Sequence, residues 1–159
     1  MKRLRIVSGG QTGADRAALD AALELGLETG GWVPRGRLAE DGVISAHYPN
    51  LVEAASARPA VRTELNVRDS DATVILSHGA PAGGTALTER LARRYGRLLL
   101  LLDLGRLDEA EASATLRRWL ERHRPLVVNV AGARQSEDGE IYAATRRVLV
   151  AALEGYACC

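Results

Sequence analysis

The sequence predicts an α/β fold with a largely parallel sheet, because short apolar runs alternate with segments of helical periodicity along its 159 residues. The apolar runs are continuous rather than alternating, which is typical of strands covered on both faces. Glycine-rich turns follow two of these runs and lead into helical segments. A chain of this length can bury a sizeable core. We therefore expect one domain, spanning 1–159, with about five strands flanked by helices.

Each strand is placed on a continuous apolar run, and each helix on a stretch of helical periodicity. The first helix carries a stripe of alanines that ends at Leu25, and Gly26 and Gly96 stand where glycines commonly end a helix. In chain order, the predicted strands are Leu4–Val7, Thr29–Val33, Ala72–Ser77, Leu98–Leu102 and Leu126–Ala131. The predicted helices are Ala14–Leu25, Val61–Arg68, Thr85–Tyr95, Asp108–His123 and Ile141–Leu153.

One segment, Pro34–Pro59, has no clear periodicity. A loop of this length inside a compact domain is usually functional or disordered. Its charged cluster, Arg35, Arg37, Glu40 and Asp41, follows the carboxyl end of a predicted strand, where α/β folds bind ligands. We favour a functional lid over a disordered segment.

Charge and composition exclude several classes of function. The net charge is +1, so nothing indicates a nucleic-acid-binding face or an acidic-membrane partner. The longest apolar run is too short to span a bilayer, and no signal-peptide pattern follows the basic start, so we expect a cytoplasmic protein. Lys2 is the only lysine, so a positively charged side chain that binds a phosphate group has to be an arginine. The adjacent Cys158 and Cys159 favour a reduced tail over a metal or redox site.

The first glycine-rich turn, Ser8-Gly-Gly-Gln-Thr-Gly13, lies between a predicted strand and a predicted helix. Backbone N–H groups at such a junction, with the positive end of the helix dipole, form an anion site. The turn is similar to a dinucleotide fingerprint with serine in place of its first glycine. The acidic residue expected after the second strand is missing, because Trp32-Val-Pro-Arg35 stands there. The alternative is a tight connection that binds nothing, but the sequence favours a phosphorylated ligand.

A second turn, Gly79-Ala-Pro-Ala-Gly-Gly-Thr85, repeats the same arrangement, and Thr85 can cap the following helix or contact a phosphate. Between the turns, Arg62 and Asn66 share a helical face, whereas Glu64 lies off it. Arg62 is the candidate charged anchor, with an exposed solvated arginine as the alternative. Trp32 can stack on a flat heterocycle or belong to the core.

Patterns for established catalytic machinery are poorly represented. The three histidines do not have the spacing of a metalloprotease zinc site, and the sequence contains no G-x-S-x-G nucleophile elbow. If the chain is an enzyme, Arg62, Glu64 and Glu89 are the candidate catalytic residues. No metal site and no catalytic metal are predicted.

With these motifs assembled, the chain resembles the molybdenum cofactor carrier family, a circularly permuted branch of the SLOG superfamily. The resemblance covers nearly the whole chain in family order, and its one departure is Ala133, where a proline is common. The residues that carry it are Ser8–Arg16, Gly30–Pro34, Ala39–Gly42, Arg62–Val67, Asp69–Thr73, Gly83–Thr85 with Leu87 and Thr88, and Asn129–Gly132 followed by Arg134 and Ser136.

The resemblance implies a Rossmann-like three-layer fold and a homo-oligomer, either a dimer or a tetramer. It also implies a pocket for molybdenum cofactor, a pterin with a terminal phosphate, or for a related nucleotide. The candidate ligand-binding residues are Ser8, Gly9, Gly10, Gln11, Thr12, Gly13, Asp15, Arg16, Trp32, Glu40, Asp41, Arg62, Glu64, Asn66, Gly83, Gly84, Thr85 and Thr88.

Two alternatives remain open. The related lonely-guy-type phosphoribohydrolases cleave nucleoside monophosphates with an arginine followed by the motif P-G-G-x-G-T-x-x-E. Arg62 and Gly83-Gly-Thr85 are similar to that layout, but one glycine is missing and Thr88 stands where the glutamate belongs. Glu89 comes one residue late, and one residue turns a helical side chain by about 100°. A nucleotide-sensing protein is the other alternative.

Overall fold

The computed structural model describes residues 3–156 and has a parallel six-stranded sheet in the order β5-β2-β1-β8-β6-β7. A separate antiparallel hairpin joins β3 and β4. In chain order the elements are β1 (Arg5–Val7), α1 (Ala14–Glu24), β2 (Glu28–Val33), β3 (Leu38–Ala39), β4 (Gly42–Val43), β5 (Leu51–Glu53), α2 (Pro59–Arg68), β6 (Ala72–Ser77), α3 (Gly83–Arg94), β7 (Leu98–Asp103), α4 (Glu109–His123), β8 (Val127–Gly132) and α5 (Ile141–Leu153).

The predicted α/β class is confirmed. All five predicted helices and all five predicted strands are present, with small shifts at their ends. The main sheet has six strands, one more than the expected count of about five. The sixth strand, β5, lies inside Pro34–Pro59 and pairs with β2 at the edge of the sheet. It has only three residues, and the strands of the hairpin have two each. Segments this short show no readable periodicity, which explains why the sequence predicted a loop there.

The helices form two layers on opposite sides of the sheet. One layer contains α1, α4 and α5, and the other contains α2 and α3. The alanine stripe predicted for the first helix is fully buried and lets α1 approach the sheet closely. Close approach also explains Gly132, because a Cβ at this position would lie 2.6 Å from the Cβ of Ala14 and 2.4 Å from the carbonyl oxygen of Leu76.

Strand β6, which lies between β8 and the edge strand β7, is buried along its whole length and contributes Val74, Ile75 and Leu76 to the core. Its neighbours β8 and β7 continue this core toward both helical layers. Within residues 3–156, no helix is long and apolar enough to cross a membrane. The Cys158–Cys159 pair lies outside the described residues.

Candidate ligand cavity

A cavity of about 190 Å³ opens at the carboxyl end of the sheet. The turn after β1, the end of β8 and the first turns of α2 and α3 surround it. Eight of the sequence-predicted residues line it: Gly9, Gln11, Asp15, Arg62, Asn66, Gly84, Thr85 and Thr88. The cavity therefore brings together residues from the first turn, the second turn and the helix between them.

Two helix N-termini meet at this cavity without side-chain caps. Helix α3 starts after Ala82, and the N–H groups of Gly83 and Gly84 have no hydrogen-bond partner within residues 3–156. Helix α2 starts at Pro59, which has no N–H, and the Val61 N–H donates to the Arg58 carbonyl oxygen at 3.1 Å. The N–H of Ala60, which lines the cavity, has no partner within residues 3–156. The first N–H groups of a helix are unpaired and carry the positive end of its dipole. This part of the cavity is therefore suited to an anion.

Arg62 supplies the positive side chain of the cavity. Its Nε donates to the carbonyl oxygen of Gly9 at 3.4 Å, and its Nη1 donates to the carbonyl oxygen of Pro59 at 3.1 Å. Burial is the largest cause that lowers the pKa of Arg62, the charge of Arg134 lowers it further, and the carboxyl of Asp15 opposes both. A partly desolvated guanidinium between other positive groups favours an incoming anion.

Asp15 places a carboxyl group at the same cavity. Its side chain is 7% exposed, and its Oδ2 accepts a hydrogen bond from the N–H of Gln11 at 3.3 Å. Burial raises the pKa of Asp15 to about 6, although Arg62, the Gln11 bond, Arg16 and Arg134 all act to lower it. The carboxyl can therefore be protonated close to neutral pH, unlike an exposed aspartate.

The turn after β1 uses most of its own amides internally. Gly10 N donates to Ser8 Oγ at 3.3 Å, Thr12 N donates to Gln11 Oε1 at 3.0 Å, and Ala14 N donates to the Ala133 carbonyl oxygen at 3.1 Å. With the Gln11 amide bound to Asp15, the amides of Gly9 and Gly13 have no partner within residues 3–156, and Gly9 of these two lines the cavity. The free amides that line the cavity are therefore those of Gly9, Ala60 and Gly84, whereas the sequence predicted equal parts for the two glycine-rich turns.

Two glycines of this turn serve packing. Gly10 has a φ of 71°, and a Cβ there would lie 2.9 Å from Ile44 Cδ1. Gly13 has a φ of 79°, and a Cβ there would lie 2.3 Å from the Ala133 carbonyl oxygen. Side chains rarely adopt this backbone conformation, and neither position has room for one.

The acidic residues of the hairpin hold it against the first turn. Glu40 Oε2 accepts from Ser136 Oγ at 2.6 Å, and Glu40 also accepts from the Thr12 hydroxyl. The Ser136 hydrogen bond is the largest cause that lowers the pKa of Glu40. Asp41 pairs with Arg16 at 2.6 Å. Glu40 and Asp41 therefore lie beside the cavity and connect three loops, but they do not line it.

Three further predicted residues point to other partners. Trp32 Nε1 donates to Asp69 Oδ2 at 2.9 Å, the Tyr95 hydroxyl donates to Glu64 Oε1 at 2.8 Å, and Glu89 lies 3.7 Å from Arg93. None of the three lines the cavity, and Asn66 uses its amide to hold the backbone of Trp32. The remaining predicted residues that do not line the cavity are Ser8, Gly10, Thr12, Gly13, Arg16 and Gly83.

Strand β8 and the loop after it contribute residues that were not among the predicted site residues. Asn129, Arg134 and Glu137 line the cavity, and Arg134 Nε lies 2.7 Å from Glu137 Oε1. One signal was readable: Asn129 is a polar residue inside an otherwise apolar predicted strand. Within residues 3–156, no group of three or more His, Cys, Asp or Glu side chains is arranged to hold a metal ion.

Comparisons with known proteins identify the family. Residues 6–153 match the model of the circularly permutated YpsA SLOG family. The chain belongs to this family. A crystal structure of a protein from Syntrophus aciditrophicus SB, named "Putative molybdenum carrier protein", is 46% identical in sequence. The match covers 96% of each chain with a TM-score of 0.92, so the two share the whole Rossmann-like fold. No curated protein matches this chain.

Proposed function

We propose that this SLOG-family chain is a binding or carrier protein for a small molecule with a phosphate group. The observation that carries the proposal is the convergence of two uncapped helix N-termini and Arg62 on one cavity. Each feature alone is common in proteins. Together they supply backbone donors, helix dipoles and a fixed positive charge to one small space, as a phosphate group needs.

We further propose that the cargo is molybdenum cofactor or a related nucleotide-like ligand. The name of the Syntrophus aciditrophicus protein, at 46% identity, supports this choice. As cargo, the cofactor brings its own metal, so the chain has to hold its phosphate and its ring. The cavity residues fit the phosphate end, because Arg62 is positive and the amide of Gly84 is a free donor.

Titration calorimetry tests the proposal with the full chain and a panel of molybdenum cofactor, its metal-free precursor, nucleoside monophosphates and inorganic phosphate. We expect saturable binding without turnover, and a loss of at least about 10-fold in affinity for Arg62→Gln, since charge-assisted hydrogen bonds contribute more than 1.4 kcal/mol each. Arg146→Gln is the matched control, because Arg146 pairs with Glu24 on the surface. Absence of binding across the panel would contradict the proposal.

The alternative of a hydrolase acting on nucleoside monophosphates has one observation in its favour. Asp15 is a buried carboxyl group at the cavity with a pKa raised to about 6, which suits a general acid. Glu64 and Glu89 do not line the cavity, so Asp15 replaces them as the candidate. Release of free base from a nucleoside monophosphate, abolished in Asp15→Asn, would favour this alternative over a carrier.

A further inference from the structure

A second, more open cavity of about 540 Å³ lies beside the first and shares Thr85 and Glu137 with it. It lies between the loop after β6 and the loop after β8. These two strands are neighbours in the sheet, but the helices that follow them, α3 and α5, pack on opposite faces. The loops therefore diverge and leave a crevice, the place where open α/β sheets bind ligands.

Thr85 lines both cavities. The residue is 7% exposed, its Oγ1 makes no hydrogen bond within residues 3–156, and this oxygen is not among the side-chain atoms sealed from the surface. The hydroxyl is therefore free to take a hydrogen-bond partner. A ligand that extends from one cavity into the other would supply it.

The two cavities differ in charge. The first holds Arg62, Arg134 and the helix N-termini, together with the carboxyl groups of Asp15 and Glu137. The second is lined by the acidic residues Glu137, Asp138 and Glu140. Glu137 is paired with Arg134, and Asp138 Oδ2 lies 2.6 Å from Nδ1 of His78. The exposed carboxylate of Glu140 has no hydrogen-bond partner within the described range 3–156, so it can accept hydrogen bonds from a ligand.

We propose that the second cavity holds the heterocycle of the ligand, and that Glu140 recognises the 2-amino-oxo pyrimidine ring shared by guanine and the pterins. The phosphate group then lies in the first cavity. This inference rests on the proposed function, because it assigns the other end of the same ligand. Pro81 and Ala82 provide apolar surface in the second cavity for the flat ring.

The selectivity follows from the hydrogen-bonding pattern of the ring. In guanine and the pterins, a ring N–H and an adjacent amino group present two parallel donors, which match the two oxygens of a carboxylate. Hypoxanthine keeps the ring N–H but lacks the amino group. Adenine presents an unprotonated ring nitrogen, whose lone pair would face the carboxylate. A bidentate pair of this kind contributes about 1.4–2.7 kcal/mol of discrimination, or roughly 10- to 100-fold in affinity.

Titration calorimetry with GMP, IMP, AMP and 6-hydroxymethylpterin phosphate tests the inference. We expect GMP and the pterin phosphate to bind roughly 10- to 100-fold more tightly than IMP, and AMP to bind most weakly. In Glu140→Gln the GMP-to-IMP ratio should fall to about 3-fold or less, with the affinity for inorganic phosphate unchanged. Glu28→Gln is the matched control, since Glu28 is an exposed carboxylate at the other end of the sheet. The affinities of GMP and of the pterin phosphate, compared with each other, show whether the site prefers a guanine or a pterin ring.

The inference and the proposed function fail in different ways. If GMP and IMP bind equally and both are lost in Arg62→Gln, the phosphate site stands and the assignment of the second cavity is overturned. Discrimination that persists in Glu140→Gln also overturns it. If none of the four compounds binds and inorganic phosphate does not bind either, both proposals fall.

Discussion

Replacing Asp15 by asparagine should stabilise the protein near neutral pH. Burial raises the pKa of Asp15 from 3.8 to about 6 in the folded state. Below about pH 4 the carboxyl is protonated in both the folded and the unfolded state, so it has no effect on the free energy of unfolding. Between about pH 4 and pH 6 the unfolded chain releases the proton first, and folding becomes less favourable as the pH rises.

The size of the effect follows from the shift. A difference of about two pKa units corresponds to about 3 kcal/mol, because one unit is 1.36 kcal/mol. Asparagine avoids this penalty and can still accept the Gln11 hydrogen bond through its side-chain oxygen. We therefore expect Asp15→Asn to raise the free energy of unfolding by up to about 3 kcal/mol at pH 7. For a chain of this size the melting temperature would rise by roughly 6–12 °C.

Urea denaturation at pH 4, 5, 6 and 7 measures the effect as the difference between variant and parent. This difference should be near zero at pH 4 and reach its full value by pH 7. Asp41→Asn is the control, because the exposed Asp41 pairs with Arg16 and its pKa is lowered, so its difference should be small and opposite in sign. A pH-independent difference, or a destabilised Asp15→Asn at pH 7, would refute the assignment of a desolvated carboxyl.

Two further predictions concern the anion-binding end of the cavity. Gly9→Ala would place a Cβ 2.3 Å from Arg62 Nε, so the guanidinium has to move. We expect the affinity for phosphate in calorimetry to fall at least about 10-fold, while urea denaturation stays cooperative. An unchanged affinity would remove Arg62 from the site. Ala82→Asp would cap α3, so we expect about 0.5–2 kcal/mol of added stability in urea denaturation together with weaker phosphate binding. The neutral cap Ala82→Asn is its control, and stabilisation without any loss of binding in Ala82→Asp would contradict the placement of the anion at α3.

Long elements could be predicted from the sequence because each has a strong local signal. The leucine run of β7 and the alanine stripe of α1 depend only on residues that are close together along the chain. The edge strand β5 gives no such signal, since its three residues are defined by pairing with β2. Pairing between segments that are distant in sequence is a tertiary property, so local patterns cannot predict it.

The candidate site could be predicted in part for the same reason. The turns and Arg62 have recognisable local patterns, and the structure brings them to one cavity. The internal use of the first turn's amides could not be predicted, because it depends on the folded positions of Ser8, Gln11 and Asp15. Arg134 belongs to the residues that carry the family resemblance but was not predicted as a site residue, because an arginine in a loop gives no local signal of what it faces.

Helices α3 and α4 differ at their N-termini, and the free donors at the start of α3 lie at the cavity. Helix α4 begins with a complete capping box, in which Asp108 accepts from the Glu111 N–H at 2.8 Å. Helix α3 begins with two glycines after the N-cap residue Ala82 and has no side-chain cap. A missing cap costs about 1 kcal/mol and each glycine in a helix about as much again relative to alanine. Helices α1, α2 and α5 also begin without a side-chain cap, so the missing cap alone does not mark a ligand site. At α3 the cavity adjoins the free donors of Gly84, and an anion there would complete the cap.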